Sequence, residues 1–166
     1  MKPAPLAAFL ALLLLLAAVA VPPAAVAAAP VAVMDLEGAI TPVTVRLVNI
    51  AVDRAQTERA QALVLLLDTP GGLERSMRTI CQTILNSEIP VVVYVAPTGA
   101  RAASAGVFIT MAAHVAAMAP ATNIGAAHPV TVGGGTTDKE MLKKVENDAA
   151  AFVRSIATER GRNVDW

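Results

Sequence analysis

Cysteine, histidine and aromatic residues are all scarce in this sequence of 166 residues. Because Cys81 is the single cysteine, no disulfide can form within the chain and no paired-cysteine zinc motif exists. The two histidines form neither an HExxH motif nor a cluster, so we expect no metal centre and no other cofactor. Aromatic residues make up only 3% of the chain, which argues against a nucleic-acid surface built on base stacking.

The chain also lacks an excess of charge of either sign, because 13 basic residues balance 13 acidic ones. Proteins that bind the phosphate backbone usually carry a basic surface, so we expect no nucleic-acid partner. The GxSxG motif of α/β-hydrolases is absent as well. A serine nucleophile in this chain would therefore have to lie in a different sequence motif.

The first 28 residues are typical of a secretory signal peptide or an N-terminal anchor. Lys2 precedes an uninterrupted apolar run from Leu6 to Val21, and Ala25-Val26-Ala27 fits a small-x-small cleavage site. The run is shorter than the roughly 20 residues that span a bilayer, although Ala24 to Ala29 could extend it. In either case we expect the domain that follows to be exported and extracytoplasmic.

The remaining chain, residues 30–166, is long enough for one domain with a single core. Strands are predicted at four apolar runs: Val31–Leu36, Ala62–Leu67, Ile89–Val95 and Val115–Met118. Helices are predicted over about 42–60, 73–86, 104–113 and 138–159, with loops at 99–103 and 123–126 and a flexible stretch at 133–135. This alternation predicts an α/β fold with a parallel sheet and flanking helices. The continuous apolar run Ala62–Leu67 is typical of a strand covered on both faces.

Gly71 and Gly72 directly follow the second predicted strand. Glycine permits the φ angles that turn two consecutive backbone N–H groups toward one point, so the pair is a candidate oxyanion hole. An ordinary tight turn between a strand and a helix is the alternative.

Ser104 stands at the start of the third predicted helix. The positive end of a helix favours negative charge that develops beside it. Small neighbours, among them Ala103, Ala105 and Gly106, leave room for a substrate backbone. Ser104 is therefore a candidate nucleophile, and an ordinary helix N-cap is the alternative.

A serine nucleophile needs a base, and neither His114 nor His128 is clearly placed for that role. A lysine can serve instead when burial lowers its pKa. The apolar face of the final predicted helix consists of Met141, Val145, Ala149, Phe152 and Ile156. Lys144 lies on the flank of this face, whereas Lys139 and Lys143 point away from it. Lys144 is the candidate base, with a surface lysine as the alternative.

Four segments carry a family likeness: Asp68–Gly72, Gly99–Gly106, Asn123–Ala126 and Lys144–Ala157. They resemble the membrane-bound ClpP-class serine proteases. The closest resemblance is to the N-terminal protease domain of the NfeD family, the stomatin operon partner proteins.

The resemblance implies a ClpP/crotonase-like fold and a Ser-Lys dyad in residues 30–166. Ser104 matches the nucleophile, Lys144 the general base, and Gly71 with Gly72 the oxyanion-binding segment. It also implies a homo-oligomer, at least a dimer, that cleaves a hydrophobic segment of a stomatin-like membrane protein. Family members usually continue past the final helix, so we expect the domain to be incomplete at Trp166.

Two other classes of function stay open at this stage. A non-catalytic partner could hold a stomatin-like protein by accepting its strand along a groove, which needs only backbone groups and apolar pockets. A crotonase-like acyl-CoA enzyme would use the same oxyanion geometry. The apolar leader disfavours it, because CoA chemistry is intracellular.

Overall fold

The structure, a computed structural model, describes residues 29–128 and 139–165. The predicted leader at 1–28, the glycine stretch at 133–135 and Trp166 lie outside the described residues. None of the helices in the described part is both long and apolar enough to cross a bilayer.

Strands and helices alternate along the described chain, as predicted. The strands are β1 (Val31–Glu37), β2 (Ala62–Asp68), β3 (Val91–Val95), β4 (Arg101–Ala103), β5 (Val115–Met118) and β6 (Asn123–Gly125). The helices are α1 (Pro42–Thr57), α2 (Glu74–Leu85), α3 (Ala105–Ala112) and α4 (Lys139–Glu159). The predicted α/β class with a parallel sheet and flanking helices is confirmed.

The main sheet has four parallel strands in the order β1-β2-β3-β5. Each connection steps in the same direction across the sheet, so right-handed crossovers place α1, α2 and α3 on one face. Residues on this face are fully buried: Leu63, Leu65, Leu67, Val91, Val93 and Val95. On the other face Val33 is 62% and Val115 53% exposed. In β2, for which the sequence predicts cover on both faces, Val64 and Leu66 on this face are half-buried. An apolar run cannot show how fully each face of its strand is covered.

A second, two-stranded sheet pairs β4 with β6 where loops were predicted. The N–H of Thr69 donates to the carbonyl of Arg101, and the N–H of Ala103 donates to the carbonyl of Thr69. The small sheet is thus joined to the end of β2. The loop predictions at 99–103 and 123–126 missed it, because these short segments of small residues become strands only through their tertiary partners.

His114 joins the end of α3 to the start of β3. Its Nδ1 accepts a hydrogen bond from the N–H of Val91 at 3.1 Å, and its own backbone N–H donates to the carbonyl of Val91. Burial lowers the pKa of this imidazole from 6.5, and the positive charge of Arg160 lowers it further. The folded state therefore favours the neutral form of His114.

We expect this histidine to make the fold sensitive to acid. The unfolded chain binds the proton more readily, so the stabilising contribution is present above pH 6.5 and is lost as pH falls through the lower folded pKa. Urea unfolding between pH 7.5 and 5 measures the loss. In His114→Asn the amide oxygen can replace Nδ1 without titrating, so the slope over this range should flatten. The matched control is the exposed His128→Asn, and equal slopes in wild type and His114→Asn would contradict the prediction.

Candidate active site

Ser104 lies between β4 and α3 in a strained backbone conformation. Its φ is 51° and its ψ is −110°, a region that residues other than glycine rarely adopt. Two hydrogen bonds hold this geometry: its N–H donates to the carbonyl of Gly125 at 2.9 Å, and its carbonyl accepts from Val107 at 3.0 Å. Strain of this kind costs roughly 1–3 kcal/mol and is concentrated at functional sites in proteins.

The hydroxyl of Ser104 does not cap the helix that it precedes. Thr41, at the start of α1, shows an ordinary cap: its backbone is extended and its hydroxyl accepts from the N–H of Thr44. Ser104 occupies the same position in α3 but makes no side-chain cap hydrogen bond. The helix-cap alternative therefore does not explain why a serine stands here.

Ser104 lines a cavity of about 220 Å³ between α2, α3 and α4. The wall is largely apolar and includes Leu73, Met77, Phe108, Ala127, Val145 and Ala149. Glu74 and Arg78 are its charged members. Within residues 29–128 and 139–165, no group of three or more His, Cys, Asp or Glu side chains is arranged to hold a metal ion. The cavity suits an apolar side chain next to the Ser104 hydroxyl.

Both predicted oxyanion glycines stand where a side chain would collide with backbone or with Ser104. A Cβ on Gly71 would lie 2.6 Å from the Cβ of Ser104, and the φ of Gly71 is +112°. A Cβ on Gly72 would lie 2.2 Å from the carbonyl oxygen of Ile40. The pair therefore allows the turn after β2 to approach Ser104 closely, which an ordinary turn does not require.

The two glycine N–H groups differ in availability. The N–H of Gly71 donates to the hydroxyl of Thr69 at 3.1 Å, and Gly71 does not line the cavity. Gly72 does line it, together with Ala105, the first residue of α3. Among the described residues neither the N–H of Gly72 nor that of Ala105 has an acceptor. The N–H groups of Gly72 and Ala105 are therefore two free donors on the cavity wall next to Ser104.

Thr69 supports this turn, and the sequence reasoning gave it no role. It is fully buried, and its hydroxyl donates to the carbonyl of Gly38 at 2.7 Å while it accepts from Gly71. The signal that could have found it is a hydroxyl residue placed between a buried strand and a Pro-Gly-Gly turn. A buried hydroxyl with two backbone partners fixes the path of the chain through the turn.

Lys144 is exposed and is not part of the cavity wall, although Val145, the next residue, is. Met141, which belongs to the predicted apolar face, is 54% exposed. The fully buried residues of α4 are Ile156 and Ala157, near its C-terminal end. Periodicity located the apolar face of the helix, but it could not show how far along α4 that face meets the rest of the protein.

The comparison with known families decides the identity of the domain. Residues 30–166 match the family model described as NfeD1b, N-terminal domain. The chain belongs to this family. The resemblance seen in the sequence is thus confirmed.

Two curated relatives agree with this assignment. The membrane-bound protease PH1510 of Pyrococcus horikoshii is 40% identical over 134 residues, which cover 79% of this chain and 30% of the relative. The membrane protein NfeD1b of Bacillus subtilis is 38% identical over 86 residues, covering 52% of this chain and 19% of the relative. The chain therefore spans less than a third of the length of either protein.

Solved structures match the fold as well. The 1510-N membrane-bound stomatin-specific protease, solved as a serine-to-alanine mutant, has a TM-score of 0.77 and 37% identity, over 84% of this chain and 68% of that chain. A lysine-to-alanine mutant of the same protease in complex with a substrate peptide has a TM-score of 0.76 and 37% identity, over 84% and 64%. These matches support the α/β class with a parallel sheet and flanking helices.

Proposed function

We propose that this domain is an exported serine endopeptidase that cleaves a hydrophobic segment of a stomatin-like membrane protein, with Ser104 as nucleophile and Lys144 as general base. The observation that carries the proposal is the Ser104 hydroxyl, which lines an apolar cavity in a strained backbone and caps no helix. The relatives' names, a membrane-bound protease and a stomatin-specific protease, support the reaction and the partner.

The reaction is acyl transfer in two halves. The Ser104 oxygen attacks the peptide carbonyl carbon and its proton passes to the Lys144 amine, giving a tetrahedral intermediate with a negatively charged oxygen. The C–N bond then breaks as Lys144 returns the proton to the leaving amine, and the acyl group stays on Ser104. Water attacks this ester in the same way, with Lys144 again taking and returning the proton.

The oxyanion is bound by the backbone N–H groups of Gly72 and Ala105. Gly72 keeps the role expected from the sequence, and Ala105 replaces Gly71, because the N–H of Gly71 is already bonded to Thr69. The N-terminal end of α3 adds its partial positive charge at the same point. Gly71 contributes by its missing side chain, which allows the turn to pack against Ser104.

Lys144 acts from the helix that forms one wall of the cavity. It precedes Val145, a wall residue, so its flexible four-carbon stem starts next to the cavity. A peptide seated across the cavity would shield the amine from water. The neutral amine is the form that accepts the serine proton.

The apolar cavity wall supports a hydrophobic substrate, and the apolar leader at 1–28 supports an extracytoplasmic, membrane-associated location.

We also propose a homo-oligomer, at least a dimer. Helix α1 exposes Val43, Leu47 and Ile50, which are 67%, 48% and 51% exposed and lie on one side of the helix. An exposed apolar patch of this kind is typical of a protein interface.

A fluorophosphonate reagent, which esterifies activated serines, tests the dyad together with cleavage of an apolar peptide. Wild type should form an adduct that mass spectrometry locates on Ser104. Lys144→Met should slow both labelling and cleavage by about 10²–10⁴-fold, the usual contribution of a general base.

The matched control is Lys143→Met, an exposed lysine on the neighbouring position of α4, which should react at the wild-type rate. An adduct on another residue, or Lys144→Met with wild-type rates, would exclude the dyad. Peptide binding without cleavage by wild type would favour the non-catalytic partner instead.

A further inference from the structure

We propose that Arg78 is a positioning residue that holds the Lys144-bearing half of α4 against the Ser104 cavity. The inference rests on the proposed function, because it concerns how the general base is held. Arg78 lies on α2, lines the cavity and joins α2 to α4.

One guanidinium group makes three interactions. Its Nε donates to Oε1 of Glu74 at 2.9 Å, one turn earlier on α2. Its second terminal nitrogen, Nη2, donates to Oδ2 of Asp148 on α4. Its Cζ lies 4.4 Å from the ring centroid of Phe152, one turn further along α4. A planar fork can bind a carboxylate at each side and stack on a ring, which the single ammonium of lysine cannot do.

Within the described residues, the N-terminal half of α4 contains no fully buried side chain. The fully buried residues of the helix are Ile156 and Ala157, three turns beyond Lys144. On the N-terminal side of Ile156, α4 packs against the protein through partly buried side chains, such as Val145 and Ala149 at the cavity wall. The Arg78 contacts at Asp148 and Phe152 therefore lie between the anchored end of the helix and the end that carries the lysine.

A further contact of Phe152 links Arg78 to the helix that follows the nucleophile. Phe152 stacks on Phe108 of α3, with ring centroids 6.0 Å apart and planes inclined by 17°. Phe108 also lines the cavity, and α3 begins directly after Ser104. Arg78, Phe152 and Phe108 thus connect the helix of the base to the helix of the nucleophile.

Hydrogen exchange measured by mass spectrometry tests the positioning without any assay of activity. In Arg78→Gln the amides of residues 143–147, which have acceptors within the helix, should exchange about tenfold faster or more, while those of 153–159 keep the wild-type rate. Asp148→Asn should change the same segment in the same direction. The control is Arg54→Gln. Arg54 makes the same kind of Nε–Oε1 bond, to Glu58 four positions on, and in the described part of the chain it forms no ion pair with a second helix.

Kinetics then separates positioning from substrate binding. Arg78→Gln should lower kcat for an apolar peptide about tenfold or more with KM changed less than about threefold. In the Lys144→Met background the same substitution should lower fluorophosphonate labelling of Ser104 less than about twofold, because Arg78 acts through the lysine.

Unchanged exchange in 143–147, or a rise in KM with kcat unchanged, would overturn the proposal. Failure of the proposed function has a different signature. If Ser104→Ala cleaves like wild type, the dyad is wrong, and yet the exchange experiment still reports whether Arg78 holds α4.

Discussion

Ser104→Ala is expected to lower kcat/KM for an apolar peptide by about 10⁴-fold or more, since loss of a serine nucleophile removes the covalent route altogether. The fold should be almost unaffected. The hydroxyl caps no helix, and alanine at φ 51° carries the same backbone strain as serine. Peptide cleavage and urea unfolding, measured on the same preparation, check the two halves of this expectation.

Ser104→Gly is the informative companion to that variant. Glycine removes the positive-φ strain, worth roughly 1–3 kcal/mol, and adds about 0.5–1 kcal/mol of chain entropy to be lost on folding. We therefore expect Ser104→Gly to be more stable than Ser104→Ala by up to about 2 kcal/mol and equally inactive. Cleavage by either variant at the wild-type rate would exclude Ser104 as the nucleophile.

Gly71→Ala should damage both the fold and the reaction. A Cβ there would lie 2.6 Å from the Cβ of Ser104, and φ is +112°. Strain and overpacking together should lower the free energy of unfolding by about 2–4 kcal/mol. Because the clash is with Ser104 itself, the nucleophile must shift, and kcat/KM should fall about 100-fold or more even where the variant is fully folded.

Gly38→Ala is the control for backbone strain alone. Gly38 also has a positive φ, +89°, but a Cβ there would meet no atom within 4 Å. We expect it to lose about 1–2 kcal/mol of stability and to keep its activity. If the two variants lose activity equally, the close approach of Gly71 to Ser104 has no special part in catalysis.

The secondary structure of the larger elements followed from local chemistry. Thr41 and Pro42 start α1 where the sequence predicts, because a hydroxyl that binds the first turn and a proline with a fixed φ act within a few residues. The apolar run ending at Asp68 is a strand as predicted. The short strand Arg101–Ala103 was missed, because it exists through its bonds to Thr69 and β6.

The sequence likewise predicted some features of the candidate site and missed others. The sequence singled out Ser104 and Gly72 through the residues around them, and both line one cavity. It did not separate Gly71, whose N–H is bonded to Thr69, from Ala105, whose N–H has no acceptor in the described part of the chain. Which of several nearby N–H groups is free depends on bonds made by residues distant in the sequence.

By itself, the sequence determined the α/β class and the family, and it singled out candidate serine and glycine positions, because periodicity, turn residues and local motifs encode these features within short windows. Only the tertiary structure decided which face of the sheet is covered, that the Ser104 hydroxyl caps no helix, and that Lys144 lies outside the cavity wall while Val145 forms part of it. These features depend on contacts between elements far apart in the chain, such as Arg78 with Asp148 and Phe152. The sequence of a helix determines which of its faces is apolar, but tertiary packing determines which residues that face contacts.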